Sequence, residues 1–480
     1  MPASCIRRLS RLATPWTFAL LLGGCAVTRV EPPVPPPAPA HFKETSLWQR
    51  APTNPASHVP DEWWTLFNDP VLNELQGQLL IGNENLKSAV AQVASARAEL
   101  GASRAAQMPS LSAGLSGSRS DSGNQTSTSS TSGQRGPQNS ISLSATAAWE
   151  LDLWGRLSQA TRGSEARYQA SLADLEAARL SARATLAQTY LSMRTAEAQQ
   201  ALIERSIAGY QRSLDLTQAR YQSGVAAQTD VLQAQTQLKT AQVQGLEAAT
   251  QRAQLEHALA VLLGQPPSAF SIAVNPALPK PPEVPTTLPA TLLERRPDIA
   301  AAQQRVNAAY AQIGVADAAF FPALTLSATA GYRNSTLSNL LSAPNLFWSI
   351  GPALAQTLFD GGARRSASEQ ARANADLATS TYRQAVLTAL QEVEDNLVLA
   401  SQLRAEAQMQ QEALEYAQRN LAITNEQYRV GTVSYLNVVT AQTSALSSER
   451  TLLDVRNRQL AAVNQLLKNI AGRWQGAQAR

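Results

Sequence analysis

Tyr221-Gln222-Ser223-Gly224-Val225, followed by Thr229-Asp230-Val231-Leu232-Gln233-Ala234-Gln235-Thr236, occurs a second time in the chain. The second copy is Tyr428-Arg429-Val430-Gly431-Thr432, followed by Leu436-Asn437-Val438-Val439-Thr440-Ala441-Gln442-Thr443. The two stand 207 residues apart, from the tyrosine through the last threonine. In each copy a glycine interrupts a long helical pattern just after a tyrosine, and the pattern resumes within a few residues. Glycine accepts turn conformations that other residues resist, so each copy reads as the tip of a helical hairpin. Two tips in one chain mean an internal duplication.

The repeat extends in both directions. Trp154-Gly155-Arg156 falls near Gly361-Gly362-Ala363-Arg364 at the same spacing. Further upstream the spacing becomes 213: Leu100-Gly101-Ala102 matches Ile313-Gly314-Val315, and Pro109-Ser110-Leu111-Ser112 matches Pro322-Ala323-Leu324-Thr325. The first copy therefore carries six extra residues between Pro109 and Trp149. A stretch that absorbs insertions while its flanks keep register is a surface loop.

Strands precede the helices in each copy. Ile141, Leu143, Ala145, Ala147, Trp149, Leu151 and Leu153 alternate with Ser142, Ser144, Thr146, Ala148, Glu150 and Asp152, a period of two. Leu111, Ala113 and Leu115 do the same in the preceding strand. In the second copy Leu324, Leu326, Ala328, Ala330 and Tyr332 alternate with Thr325, Ser327 and Thr329. Leu346, Trp348, Ile350, Leu354 and Leu358 make a fourth strand. Ser116 to Ser140, rich in Ser, Thr, Gly and Asn, reads as a polar loop. One face of these strands is small and polar and the other apolar or aromatic. That pattern fits a sandwich half-buried on a core, or a membrane barrel with lipid outside and water inside. Strand length and aromatic ends favour the barrel. Four strands cannot close one, and an unpaired edge in lipid is forbidden, so several chains must each contribute four strands.

The helices run from about 156 to 222, 226 to 263, 363 to 430 and 434 to 470. At 1.5 Å per residue the longer ones reach roughly 100 Å. Leu446, Leu453, Leu460 and Leu467 recur every seven residues, a spacing that drives left-handed supercoiling. Asp69 and Pro70 suit a helix N-cap and first turn, ahead of a Leu72, Leu75, Leu79 stripe, and a second helix spans about 85 to 107.

The N-terminus reads as a leader. Arg7, Arg8 and Arg11 precede a short apolar core, Trp16 to Leu22, that closes on Leu22-Gly23-Gly24-Cys25. This is similar to a bacterial lipobox, with cleavage before Cys25 and acylation of its sulfur. Ala26, not Asp, follows, which by the same resemblance favours the outer membrane. Multiple acyl chains anchor firmly where one does not. The run Glu31-Pro32-Pro33-Val34-Pro35-Pro36-Pro37 stays extended and serves as a tether.

The chain has 480 residues and a formal charge of +4. Without the leader's three arginines it keeps 37 basic against 36 acidic residues, which gives nucleic acid nothing to hold. Cys5 goes with the leader and Cys25 with the lipid, so no disulfide framework remains. His41, His58 and His257 are scattered and no metal site is read. Walker A, Rossmann, Gly-x-Ser-x-Gly, His-Glu-x-x-His and Cys-x-x-Cys patterns are all missing, so neither an active site nor a cofactor is expected. Glu392, Glu394 and Asp395 read as solvated helix faces, and Arg295-Arg296-Pro297-Asp298 as a helix start.

Taken together, several motifs resemble one family. They are Leu22-Gly23-Gly24-Cys25, Trp63-Trp64-x-x-Phe67-x-Asp69-Pro70, Trp149-Glu150-Leu151-Asp152-Leu153-Trp154-Gly155-Arg156, Glu294-Arg295-Arg296-Pro297-Asp298-Ile299, Leu358-Phe359-Asp360-Gly361-Gly362 and both Tyr-x-x-Gly tips. The chain is similar to the TolC-type outer-membrane efflux proteins, in the NodT-type lipoprotein branch that serves RND multidrug pumps. The resemblance covers essentially all of the mature chain. It implies an α+β membrane protein: a homotrimer whose shared outer-membrane β-barrel, four strands per chain, continues into a periplasmic α-helical barrel. It also implies a periplasmic adaptor and an inner-membrane RND pump as partners, in a Gram-negative bacterium. Some members carry an Asp near the tip where this chain has Thr440, so an acidic ring there is altered.

The expected organisation is a signal peptide (1–24), a tether (25–60), a first repeat (61–264), a linker or equatorial element (265–294) and a second repeat (295–480) that ends in a C-terminal tail. Tyr221, Gly224, Val225, Tyr428, Gly431 and Thr432 are the expected adaptor-docking tips. Asp230, Leu436, Asn437, Val439 and Thr440 are candidates for a gate closed at rest. Asp230 equally reads as a first-turn acid, which the helix dipole favours by about 0.3–1 kcal/mol. Two other functions fit the pattern less well: a coiled-coil stalk on an outer-membrane lipoprotein or adhesin, and the exit duct of a type I protein secretion system. A water-compatible strand face argues for a pore and against a stalk.

Overall fold

The computed structural model describes residues 62–121, 137–282 and 296–471. The leader, Cys25, the Pro-rich tether, Glu294-Arg295 and the C-terminal tail after 471 lie outside the described residues, as does most of the first polar loop. Seven helices and four strands follow one another among the described residues. They are α1 (Pro70–Gly82), α2 (Glu84–Ala105), β1 (Ser110–Ser120), β2 (Gln138–Leu151), α3 (Arg156–Gln222), α4 (Gln228–Leu262), α5 (Pro297–Ala318), β3 (Ala323–Asn334), β4 (Leu346–Ala355), α6 (Ala363–Val430) and α7 (Tyr435–Ala471). The chain divides into two compact units, and each draws on both copies of the repeat. The described part of the first unit comprises 94–121, 137–170 and 303–381; that of the second comprises 62–93, 171–282, 296–302 and 382–471.

The first unit holds an antiparallel sheet in the order β1-β2-β3-β4. Two hairpins, one from each copy, meet at the β2–β3 pairing, where Leu143 faces Tyr332 and Trp149 faces Leu326. The sheet reaches beyond the sequence expectation at its loop end. Ser116–Ser120 and Gln138–Ser140, expected in the loop, belong to paired strands. Their alternate serines share one face and bond across it, as Ser116 Oγ and Ser142 Oγ do at 2.8 Å, so weak intrinsic β-propensity yields to cross-strand pairing. At the other end β4 stops at Ala355, because its partner β3 begins at Ala323. Leu358, expected in that strand, lies outside it and is 90% exposed. No helix among the described residues is long and apolar enough to cross a membrane.

Aspartates set the helix starts beside the sheet. Asp152 Oδ1 accepts from the Leu157 amide at 3.0 Å, and Oδ2 from that of Ser158 at 2.7 Å. Asp360 accepts from the amides of Gly362 and Arg364 at 3.0 and 3.2 Å. Gly155 and Gly362, which match at a spacing of 207, both take positive φ, +82° and +95°. The Asp-Leu-Trp-Gly-Arg and Phe-Asp-Gly-Gly motifs are thus strand-to-helix turns, capped at the positive end of the dipole.

The second unit is a helical layer around one long core. Trp63, Leu72, Leu79, Tyr190, Leu259, Leu460 and Leu467 are fully buried in it. Of the seven-residue leucine series, Leu460 and Leu467 reach this core, while Leu446 and Leu453 are half-buried. Leu452, Val455, Val463 and Leu466 fill the remaining inward positions, so the buried stripe is wider than a two-stranded coiled-coil seam.

Charge networks clamp the ends of this core. Asp69 caps α1 through Val71 and Leu72, and its second oxygen accepts from Tyr190 Oη at 2.6 Å. Arg194 donates to Tyr190 Oη, Glu197 and the Ala273 carbonyl. Arg252 and Glu256 hold the Ile272 backbone, and Glu197 the Asn275 amide. The segment after α4 is thereby strapped down by buried and half-buried charges that are all paired, as burial requires. Arg296 does the same at the start of α5, reaching Asp298 and Glu392 at 2.7 and 3.0 Å.

Candidate functional site

Two parts of the molecule carry chemistry that packing alone does not require. The first is the sheet. Its register puts Leu111, Ala147, Ala328 and Ile350 in one row of one face, and Leu115, Leu143, Tyr332 and Leu346 in another. From Leu151 to Ile141 this face spans ten residue steps of β2, about 34 Å along the strand. At the tilt usual in membrane barrels that is about 25 Å of height, the thickness of an outer-membrane apolar band. Its side chains are open to the surroundings: Leu111 is 78% and Trp348 72% exposed. Monomeric soluble proteins rarely leave such a surface bare; it marks a membrane or protein contact.

The opposite face carries Ser112, Thr146, Thr329 and Ser349 in one row and Ser116, Ser142 and Arg333 in another. Hydroxyls there bond to one another or to strand carbonyls, as in Thr146–Thr329 at 3.3 Å and Ser112 to the Thr146 carbonyl at 3.3 Å. Such a lining suits water and small solutes. Glu150, at the helix end of this face, is held by three Arg156 hydrogen bonds of 2.7–3.0 Å.

The second part is the pair of tips, both in the second unit. Each closes by the same two backbone bonds: Gly224 to Tyr221 and Val225 to Arg220, Gly431 to Tyr428 and Thr432 to Gln427. This is a Schellman motif, and it needs the positive φ of the glycines, +72° and +85°. The sequence-expected docking residues therefore sit together in each turn. Side-chain burial breaks the symmetry. Tyr221 is 45% exposed, whereas Tyr428 is 5% exposed and packs on Tyr435 at 5.5 Å between ring centroids.

Arg220 explains the difference. Its Nη1 donates to the carbonyls of Tyr428 and Arg429 at 2.7 and 3.3 Å, and its guanidinium lies 4.8 Å from the Tyr428 ring centroid. A cation from the end of α3 thus caps the negative end of α6 and ties one tip to the other. The Thr217 and Tyr428 hydroxyls pair at 3.2 Å, and Gln442 Nε2 donates to Ser213 Oγ at 2.8 Å. Tyr210, Leu214, Val231, Leu238 and Val438 complete the small core. Burial pushes the Tyr435 hydroxyl up to about 12.

The gate candidates divide around this core. Val439 packs against it, while Leu436, Asn437 and Thr440 are exposed on the first turns of α7. Asp230 is half-buried in the first turn of α4, with no side-chain cap bond at that N-terminus. Arg220, Thr217, Tyr210 and Tyr435 were not singled out in the sequence. The available signal was Arg220 itself, which stands where the second copy has Gln427. Beside the tips a cleft of about 650 Å³ opens between α3, α6 and α7, crossed by an Arg205–Glu449 ion pair of 2.7 Å. Among the described residues no three His, Cys, Asp or Glu side chains gather as a metal site would need.

A family model described as outer membrane efflux protein matches residues 75–265 and 288–472. The pyoverdine export outer membrane protein OpmQ of Pseudomonas aeruginosa is 31% identical over 465 residues, covering 95% of this chain and 95% of its own. The toluene efflux pump outer membrane protein TtgF of Pseudomonas putida is 30% identical over 463 residues, covering 95% and 96%. Among solved structures, the outer-membrane channel OprN superposes with a TM-score of 0.85 at 29% identity, covering 93% of this chain and all of that one.

Proposed function

Because the chain belongs to the outer membrane efflux protein family, we propose that three copies of it close one barrel and form the outward duct of a tripartite export pump. It is an outer-membrane channel component of an efflux pump. The observation that carries the closed barrel is the open four-stranded sheet with one hydroxyl face, one apolar face and two unpaired edges. Lipid tolerates no unpaired backbone, so β1 and β4 must each find a strand on another copy. A head-to-tail contact that closes makes a ring.

In this reading Cys25, outside the described residues, carries the acyl anchor. The two Schellman tips meet a periplasmic adaptor, which in turn connects to an RND-type pump in the inner membrane. Identical backbone turns presented twice per chain favour repeated docking by one kind of partner. The Arg220 brace holds the tips together at rest, and Asp230, Leu436, Asn437, Val439 and Thr440 border the passage beside them. Relatives at 30% and 31% identity bear names for toluene efflux and for pyoverdine export. Likeness at this level therefore identifies the duct and leaves the cargo to the pump.

Mass measurement in detergent combined with planar-bilayer recording tests this function. A stable trimer that conducts is expected. A monomer that conducts, or a trimer that never does, refutes it.

A further inference from the structure

On the hydroxyl face, Gly331 stands opposite Phe347, and Arg333 lies two residues beyond Gly331 on the same strand face. A side chain at 331 would collide with β2, since a Cβ there would lie 2.3 Å from the Leu143 carbonyl oxygen. Gly331 is buried although the sheet around it is open, and Phe347 opposite it is half-buried. The Arg333 guanidinium rests over the Phe347 ring, 4.9 Å from its centroid. A ring seated across from a glycine, with a cation stacked on it, is a held arrangement.

The surroundings make this pair unusual. The hydroxyl face carries two charged residues along its paired strands, Glu150 and Arg333. Glu150 is neutralised by Arg156. Arg333 has no carboxylate partner among the described residues; its guanidinium meets the Phe347 ring instead. The segment from Ser335 to Asn345, which joins β3 to β4, contains no charge of either sign. Phe347 is the one large apolar side chain of that face. A cation and an aromatic surface thus stand side by side near the loop end of a lining that, Gln138 and the paired Glu150 apart, is made of small residues and hydroxyls.

We propose that Arg333 and Phe347 form an exit subsite for anionic aromatic solutes, repeated around the barrel by each copy of the chain. This rests on the closed-barrel reading above, which makes the hydroxyl face the lumen. Rings of like charge in a pore set the sign of the ions that gather there, and low-dielectric walls strengthen the effect. The aromatic ring adds stacking for planar solutes, and the guanidinium is suited to sulfonate or carboxylate groups. Solutes leaving the duct would be held briefly at its outward mouth according to charge and flatness.

Binding of naphthalene trisulfonate to the purified oligomer in detergent, read by the probe's own fluorescence anisotropy at several salt concentrations, tests the proposal. Arg333→Gln should weaken binding about tenfold or more, the scale of one charge-assisted contact, and flatten its salt dependence. Phe347→Leu should weaken it less and leave the salt dependence intact. Arg119→Gln removes an equal charge near the same end of the sheet but on the apolar face, and should leave binding unchanged. Equal affinity in wild type and Arg333→Gln overturns the subsite, as does an equal loss in Arg119→Gln. The same preparations are weighed and recorded in bilayers. A protein that is monomeric or silent there refutes the closed barrel itself, whereas a conducting trimer with an indifferent Arg333 refutes the subsite alone.

Discussion

Replacing Arg220 with alanine removes three contacts from the second tip: two hydrogen bonds to the Tyr428 and Arg429 carbonyls and the stacking on the Tyr428 ring. A hydrogen bond from a charged donor contributes about 1.5–3 kcal/mol, and a cation over a partly covered ring about 0.5–1. Arg220 is half-exposed, and its contacts overlap, so the lower part of that range applies. A loss of about 2 kcal/mol raises the population of tips that have parted about thirtyfold. Amide exchange measures this directly. Gly431 and Thr432 donate to Tyr428 and Gln427 within the turn, so their exchange should speed up by that factor in Arg220→Ala while the Trp63–Leu467 core keeps its rate. Arg220→Lys keeps a cation but not the flat stacking, and should fall between. In bilayers the alanine variant should spend more time conducting. Exchange at Gly431 and Thr432 within twofold of wild type would refute the brace, whatever the channel then does.

Other outcomes follow from the same contacts. Burial pushes the Asp298 carboxyl up, but the hydrogen bonds and charge of Arg296 outweigh it and hold the group below the ordinary carboxylate range. Its contribution to stability is therefore present above the unfolded value, near about 3.9, and is lost as pH falls through the lower folded value. Asp298→Asn should flatten the acid limb of the thermal-midpoint profile below about pH 5; an equally steep limb would count against the clasp. Cys25→Ser should abolish incorporation of labelled fatty acid and leave the leader unprocessed, and continued labelling of the variant disproves the anchor. Proline at Gly431 or Gly224 cannot take positive φ or donate the turn's amide bond. Either variant should lose drug export while still forming its trimer, and unchanged export by both would move the docking site elsewhere.

The duplication made most of this architecture legible in the sequence. The spacing of 207 located both tips, and both glycines adopt the conformation that the break in helical pattern required. Alternation along β2 and β3 gave the two sheet faces, because a period of two leaves no ambiguity when every second position from Ile141 to Leu151 and from Leu324 to Tyr332 is apolar or aromatic. What the sequence hid were differences between the copies. Nothing in Tyr221 and Tyr428 distinguishes an exposed ring from a buried one. Arg220 decides that, and its effect runs through a contact more than two hundred residues away. The serine-rich strand ends were hidden for a different reason: serine and glycine read as loop until a facing strand supplies their partners.

The pairing of β2 with β3 joins the first copy to the second inside one chain. Each copy supplies a hairpin with the same pair of edges, so the same geometry should recur wherever β4 meets β1 of a neighbouring copy. Carrying Leu151–Leu324 through the repeat, by 207 on one strand and 213 on the other, puts Leu358 opposite Leu111 of that neighbour. Ala147–Ala328 likewise becomes Leu354 opposite Leu115. Both cross-seam pairs join apolar faces. The new seam would draw residues 356–358 into β4 and cover Leu358, the bare leucine at its end. The chain thus contains, at its own midpoint, a template of the joint by which it assembles. A single-copy ancestor could have built the same wall from twice as many chains, and the duplication would then have turned half of its intermolecular joints into folding contacts.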